Sequence, residues 1–298
     1  MCGIVGLFLK DASLEPRLGG MLADMLVTMT DRGPDSAGIA IYGDAEDGVA
    51  KLSVQSPDPE ADFPALETHL VKAFGAAVNL TRKDTHAILT VAEDRLPELQ
   101  SSLAEAFPQL TPMSRGDAIE IFKEVGLPQA VVDRFGLGAM GGTHGIGHTR
   151  MATESAVTTD GAHPFSTGPD QCLVHNGSLS NHNNLRRKLR REGIAVATEN
   201  DTEVAAAYLT WKMQGGANLG EALTSGLSDL DGFYTFVVGT KTGFGVLRDP
   251  IACKPAVLAE NEQYVAFGSE YRALVNLPGI ENARVWEPEP ATVYFWER

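Results

Sequence analysis

Cysteine is scarce in this chain: Cys2, Cys172 and Cys253 are the three among 298 residues. An odd count with no CxxC spacing argues against a disulfide framework and against a structural zinc site. No apolar run is long enough to span a bilayer. The start has no charged n-region, apolar h-region or cleavage site of a secretory leader. A cytoplasmic protein that makes no use of a membrane is therefore expected. Basic charge is in short supply as well: 24 Lys and Arg face 39 Asp and Glu, for a net charge of −15. Such a surface repels phosphate backbones, so nucleic acid is not an expected partner. Neither GxGxxG nor a P-loop pattern occurs, and no nucleotide cofactor is indicated. Strict βαβ alternation is missing too, which argues against a Rossmann sheet.

What is present suits a globular chain with ample core: 43% of residues are hydrophobic and 21% charged. Ile4–Leu9 reads as a buried strand. Over Pro16–Asp31, Leu18, Met21, Leu22, Met25, Leu26 and Met29 recur at helical steps and mark a core-facing helix. Residues 31–36 (DRGPDS) form a turn cluster, and Ala37–Tyr42 and Val49–Val54 follow as strands. The texture then changes between residues 55 and 142. Proline-rich joints lead to a helix near Phe63–Phe74 and a strand near His86–Val91. Helices are predicted near Pro97–Ala106, Arg115–Val125 and Pro128–Phe135. This stretch reads as an inserted subdomain, with the glycine-rich residues 136–147 as its exit linker. Beyond it come strands at Gly145–Thr149 and Gln171–His175, then helices at Asn181–Glu192, Asp201–Met213 and Leu219–Leu230. Strands return through the tail. The basic run at 185–192 (LRRKLRRE) reads as a solvated helix face or a docking face for an acidic partner.

The candidate chemistry begins at Cys2. Once the initiator Met is removed, this residue carries both a thiol and a free α-amine. An α-amine titrates at about 7.7–8.0, close to the working pH of a proton acceptor. One residue could then be nucleophile and base together. Asn176-Gly177 follows an apolar strand and has two readings: a plain hairpin turn, or an oxyanion hole made by the Asn amide and the Gly N–H. Arg150 ends a strand-like segment, where a guanidinium could clamp a carboxylate with two parallel hydrogen bonds. Asp201 at a helix start reads either as a simple N-cap or as the partner of an ammonium group. Together Arg150 and Asp201 would recognise a free α-amino acid. Arg32 and Asp35 are expected to build the turn beside the nucleophile. His144 and His148 have a metal-like spacing but no obvious third ligand, and no metal is expected. Cys172 and Cys253 are expected to be buried apolar residues.

Taken together, the motifs resemble those of the class II glutamine amidotransferases, whose glutaminase domain is an N-terminal-nucleophile hydrolase. The matching stretches are MCGIVGLF at the start, DRGPDSAG at 31–38, GHTRMAT at 147–153, HPF at 163–165, VHNGSLSN at 174–181, ENDTEV at 199–204, RDP at 248–250 and GSEYRAL at 268–274. They occur in the family's order and span nearly all the chain outside 55–142. The resemblance implies an α+β fold, a four-layer αββα sandwich of two mainly antiparallel sheets, with a glutaminase domain over residues 2–298. It assigns Cys2 as nucleophile and Asn176 and Gly177 as oxyanion donors. It gives Arg150 and Thr153 to the glutamine carboxylate, Asp201 to its amine, and His163 to the pocket wall.

Two departures stand out. Met151 and Glu154 replace the Trp and second His that many sugar-phosphate amidotransferases carry, and the 55–142 stretch is much longer than usual. No nucleotide or flavin motif is left after the glutaminase-like strands, and a synthase activity is expected in another chain. Residues 147–159, 174–189, 247–258 and 287–297 resemble the stand-alone amidotransferase subunit of N-methylglutamate synthase and related glutamate-synthase-like complexes. The resemblance implies L-glutamine as substrate and two partners. One is a flavin-bearing glutamate-synthase-like subunit, the other a subunit resembling the C-terminal domain of glutamate synthase. Any flavin or iron–sulfur cluster is expected in those partners, and no cofactor in this chain. Three alternatives stay open at this point: an N-terminal-nucleophile hydrolase acting on another amide, a degenerate structural subunit, and an amino-acid-sensing subunit without turnover.

Overall fold

The computed structural model describes residues 2–152 and 156–298. In chain order the main elements begin with β1 (Gly3–Leu9), α1 (Leu18–Thr28), β2 (Ser36–Tyr42), β3 (Val49–Gln55), α2 (Pro59–Phe74), β4 (Val78–Lys83), β5 (His86–Ala92), α3 (Leu96–Ala106), β6 (Thr111–Gly116), β7 (Ile119–Val125), α4 (Pro128–Phe135) and β8 (His144–Arg150). They continue with β9 (Phe165–Gly168), β10 (Gln171–Leu179), α5 (His182–Arg191), α6 (Asp201–Gln214), α7 (Leu219–Asp229), β11 (Gly232–Gly239), β12 (Gly243–Arg248), β13 (Val257–Glu260), β14 (Tyr264–Gly268), β15 (Arg284–Trp286) and β16 (Thr292–Glu297).

Alternation along the strands builds the layers. A seven-stranded sheet runs β15-β13-β14-β1-β8-β2-β7, and a five-stranded sheet runs β16-β12-β11-β10-β9. Every pair in them is antiparallel. Side chains two apart share a face. Ile4 and Phe8 of β1, Ile146 of β8 and Ile119 and Ile121 of β7 therefore meet Val174, Val237, Phe244 and Val246 of the second sheet in one core. The opposite face of the large sheet, with Val5, Leu7, Ile39 and Ile41, packs on α1 and α4. The outer face of the second sheet, with Leu173, Phe236 and Val238, packs on α5, α6 and α7. The result is the αββα order of an N-terminal-nucleophile hydrolase-like fold. Among the described residues no helix is long and apolar enough to cross a membrane.

A third sheet of four strands, β4-β5-β3-β6, has its own core with α2 and α3. Strand pairing draws its limits at Val49 and Gly116. By contrast β7 and α4, which also fall within 55–142, pack into the main body. We propose that residues 49–116 are the inserted unit.

Three local expectations are corrected. Arg115–Val125 is not a helix but the end of β6, a turn at 117–118 and strand β7; Ile119, Ile121 and Lys123 alternate onto the inter-sheet face, a two-residue period that short helical matching obscures. The glycine-rich 136–147 stretch is no free linker. Leu137 is wholly buried against α1, and from His144 the chain is already β8. Cys253 is exposed, whereas Cys172 is buried as expected. Of the basic run, Arg187, Lys188, Arg190 and Arg191 are solvated, while Leu185 and Leu189 anchor α5.

Asp170 ties the two sheets together across the β6–β7 turn. Its carboxylate accepts from the backbone N–H of Asp117 (2.9 Å), Ala118 (2.9 Å) and Ile119 (3.0 Å). Removing the acceptor strands buried donors, at about 1–3 kcal/mol each. Asp170→Ala is expected to lower unfolding stability by about 3 kcal/mol or more, read from the shift in the urea midpoint.

Candidate active site

The inter-sheet core opens at one end, where β1 begins and β8 finishes. Antiparallel register sets Gly3 against Thr149, so Cys2 emerges beside Arg150 and Met151. Its sulfur lies 4.0 Å from the Met151 carbonyl oxygen. Its own carbonyl accepts from Arg32 Nε at 2.9 Å and from Asn176 Nδ2 at 3.2 Å. Arg32 also pairs with Glu270 at 2.7 Å. A neighbouring turn residue, Asp35, accepts from the Ala152 N–H at 2.8 Å, and its N–H donates to the Arg150 carbonyl at 3.1 Å. The 31–36 turn thus holds both the backbone of Cys2 and the segment that follows β8.

Asn176 and Gly177 do not form a hairpin turn. Both lie inside β10, paired with Thr235 and Tyr234 of β11. Gly177 has φ +147°, and an added Cβ would fall 1.9 Å from the Phe233 carbonyl oxygen. Only glycine fits that close approach. The strand so shaped carries the Asn176 amide across to Cys2.

A cleft of about 930 Å3 lies over these residues, lined among others by Cys2, Arg150, Asn176, Gly177, His163 and Asp201. Arg150 is nearly buried and donates through Nη1 to the Ala156 carbonyl at 3.3 Å. Asp201 opens α6, but the cap is Asn200, whose side chain accepts from Thr202 N–H at 2.9 Å. That leaves Asp201 turned toward the cleft, where it accepts from the Leu179 N–H at 2.9 Å and lies 3.7 Å from His175 Nδ1. Burial pushes its carboxyl up, but His175 and the Leu179 N–H outweigh this and hold it at about 2. Thr153 lies outside the described residues.

His163 lines the cleft wall, with both ring nitrogens engaged: Nδ1 is 3.0 Å from His148 Nε2, and Nε2 is 3.0 Å from Thr202 Oγ1. The same hydroxyl lies 3.1 Å from His175 Nδ1. Burial keeps His148 down at about 3. Burial, and then the neighbouring His148 and His175, hold His163 well below the usual range too. Sequence reasoning missed this buried histidine–threonine network. Its signal was the alternation of polar residues in GHTR and VHNG, which reads as ordinary strand patterning until β8 and β10 are stacked. Phe233 and Lys254, also missed, complete the rim. Among the described residues no cluster of three or more His, Cys, Asp or Glu could hold a metal ion.

A carboxyl held below its ordinary value of 3.8 stabilises the fold above that value, and the contribution is lost as pH falls through about 2. The stability gap between the wild type and Asp201→Asn is therefore expected to stay constant above about pH 4 and to close toward about pH 2. Urea titrations across that range measure it.

Comparison with known proteins places the chain. A family model described as a glutamine amidotransferase domain matches residues 132–294. The glutamine amidotransferase-like protein GlxB of Rhizobium meliloti is 69% identical over all of this chain and 98% of its own length. A putative glutamine amidotransferase of Methanothermobacter thermautotrophicus is 32% identical, over 99% of both. Among solved structures, the glutamine phosphoribosylpyrophosphate amidotransferase of B. subtilis superposes with a TM-score of 0.62 at 20% identity. That match covers 99% of this chain and 47% of the solved one, so this chain spans about half its length. The order of layers, the matched domain and the full-length relatives agree: this chain belongs to the class II glutamine amidotransferase family.

Proposed function

We propose that the chain is a glutaminase subunit that hydrolyses L-glutamine to glutamate and ammonia. The observation that carries this reading is the meeting of Cys2, Asn176, Arg150 and Asp201 at one cleft. In this reading Met1 is removed and the α-amine of Cys2 takes the proton of its own thiol. The sulfur attacks the side-chain amide carbon of glutamine. The Asn176 amide and the Gly177 N–H stabilise the oxyanion. Collapse of the tetrahedral adduct breaks the C–N bond, and the ammonium of Cys2 returns its proton to the departing ammonia. Water then cleaves the thioester, releasing glutamate and restoring the thiol. Arg150, with Thr153, binds the α-carboxylate, and the ionised Asp201 binds the α-ammonium.

The wider assignment belongs to the same proposal. Ammonia passes to a flavin-bearing glutamate-synthase-like partner, in an N-methylglutamate synthase or a related complex. The match to an amidotransferase-like protein over 98% of that protein's length supports the amidotransferase part of this reading.

Labelling by a glutamine-like diazoketone, followed by intact mass, tests the chemistry. The expected result is loss of one methionine from the wild type and one adduct on Cys2, absent in Cys2→Ala. Reversible binding without an adduct would instead assign a sensing subunit. Asn176→Ala is expected to lower kcat by about 10²–10³-fold with KM nearly unchanged, the signature of a contact made in the transition state. Steady-state ammonia release measures it.

A further inference from the structure

One buried charge takes no part in the proposed chemistry. Lys123 sits on β7, the edge strand of the large sheet, and is 4% exposed. Its ammonium donates to the carbonyls of Ala162 at 2.9 Å, Asp160 at 3.2 Å and Pro164 at 3.4 Å. It lies 4.5 Å from the centroid of the Phe165 ring. The described carboxylates that favour its charge, Asp160 and Glu203, act through space rather than by contact; Glu203 is itself taken up by the N–H groups of Ala197 and Thr198. Burying an ammonium without a carboxylate partner costs stability; a Met of similar length would remove that cost but leave the three carbonyls without this donor. Stability alone does not account for this lysine.

Its three acceptors point to a different role. They are alternate carbonyls of the 160–164 segment, and Asp160, Gly161 and His163 of that segment line the cleft. The segment is pressed onto β2, where a Cβ at Gly38 would stand 2.1 Å from the His163 carbonyl oxygen. From there His163 reaches Thr202, the second residue of α6, next to Asp201.

We propose that Lys123 is a positioning residue for the amino-acid end of the cleft: its ammonium fixes the backbone of residues 160–164 and, through His163 and Thr202, the start of the helix that carries Asp201. The kinetic part of this inference rests on the glutaminase reading; the structural part does not. Burial lowers the ammonium to about 8, against the opposing pull of Asp160 and Glu203. The other titratable groups in its field, His163 and His86 on β5, are both held uncharged there by burial. The clamp is thus charged below about pH 8 and loses its charge above it.

The test compares the full-length wild type with Lys123→Met and Lys123→Gln, the second keeping an uncharged donor. Lys123→Met is expected to shift the unfolding midpoint little, relief of the buried charge offsetting the three lost bonds, while KM for glutamine rises on the order of tenfold and kcat stays within about twofold. Lys123→Gln is expected to fall between the two. Wild-type KM should rise above about pH 8, and KM of both variants should be flat across that range. In Lys123→Met, hydrogen exchange should quicken at the amides of 158–165 and at the start of α6, with alkylation of Cys2 by iodoacetamide unchanged. Unaltered KM and exchange would overturn the proposal. So would a lowered midpoint with kcat and KM damaged alike, the pattern of a merely structural lysine. A wild type that neither releases ammonia nor takes the diazoketone sinks the glutaminase reading alone; the exchange comparison still decides the clamp.

Discussion

The site depends on one carbonyl. The backbone oxygen of Cys2 accepts from Arg32 and from Asn176, and those two donors come from opposite layers. Arg32 belongs to the turn after α1, on the large sheet's side. Asn176 belongs to β10 in the second sheet. The pair pins the first strand of one sheet to a central strand of the other, at the edge where the inter-sheet core ends. Hydrogen bonds from a charged donor contribute about 1.5–3 kcal/mol, enough to keep a chain terminus from fraying.

The second constraint is how polar groups are packed behind the cleft. His148, His163, His175 and Thr202 lie in buried space and meet one another's nitrogens and hydroxyl. Burial keeps His148 and His163 uncharged. Arg150 and Asp201 stand on the cleft in front of this network, with Asp160, Glu199 and Lys254 also on its lining. Lys123 extends the same arrangement one layer further, from the edge of the large sheet to the loop that carries His163.

Much of this was legible in advance. The Met and Leu stripe of α1 reads directly as a core face, because a helix repeats its environment every three to four residues. Cys2, Arg150 and Asp201 stood out as candidates because each is a reactive or charged type beside an apolar segment, and all three line one cleft. Residues 115–125 read as a helix because Ile119, Ile121, Phe122 and Val125 satisfy two periods at once, and nothing local shows that β7 pairs with β2. Asn176-Gly177 was open between turn and strand, since nothing local to those two residues reveals that β11 pairs across them.

By itself, then, the sequence determined the buried face of α1 and marked Cys2, Arg150 and Asp201 as the candidate residues. These are local matters of period, residue type and spacing. Tertiary structure alone decided that Asn176 reaches Cys2, that Asp201 stands on the same cleft as Cys2, and that Lys123 is enclosed rather than solvated. Each of those outcomes depends on how closely two sheets stack, and that distance is set by side chains far apart in the chain.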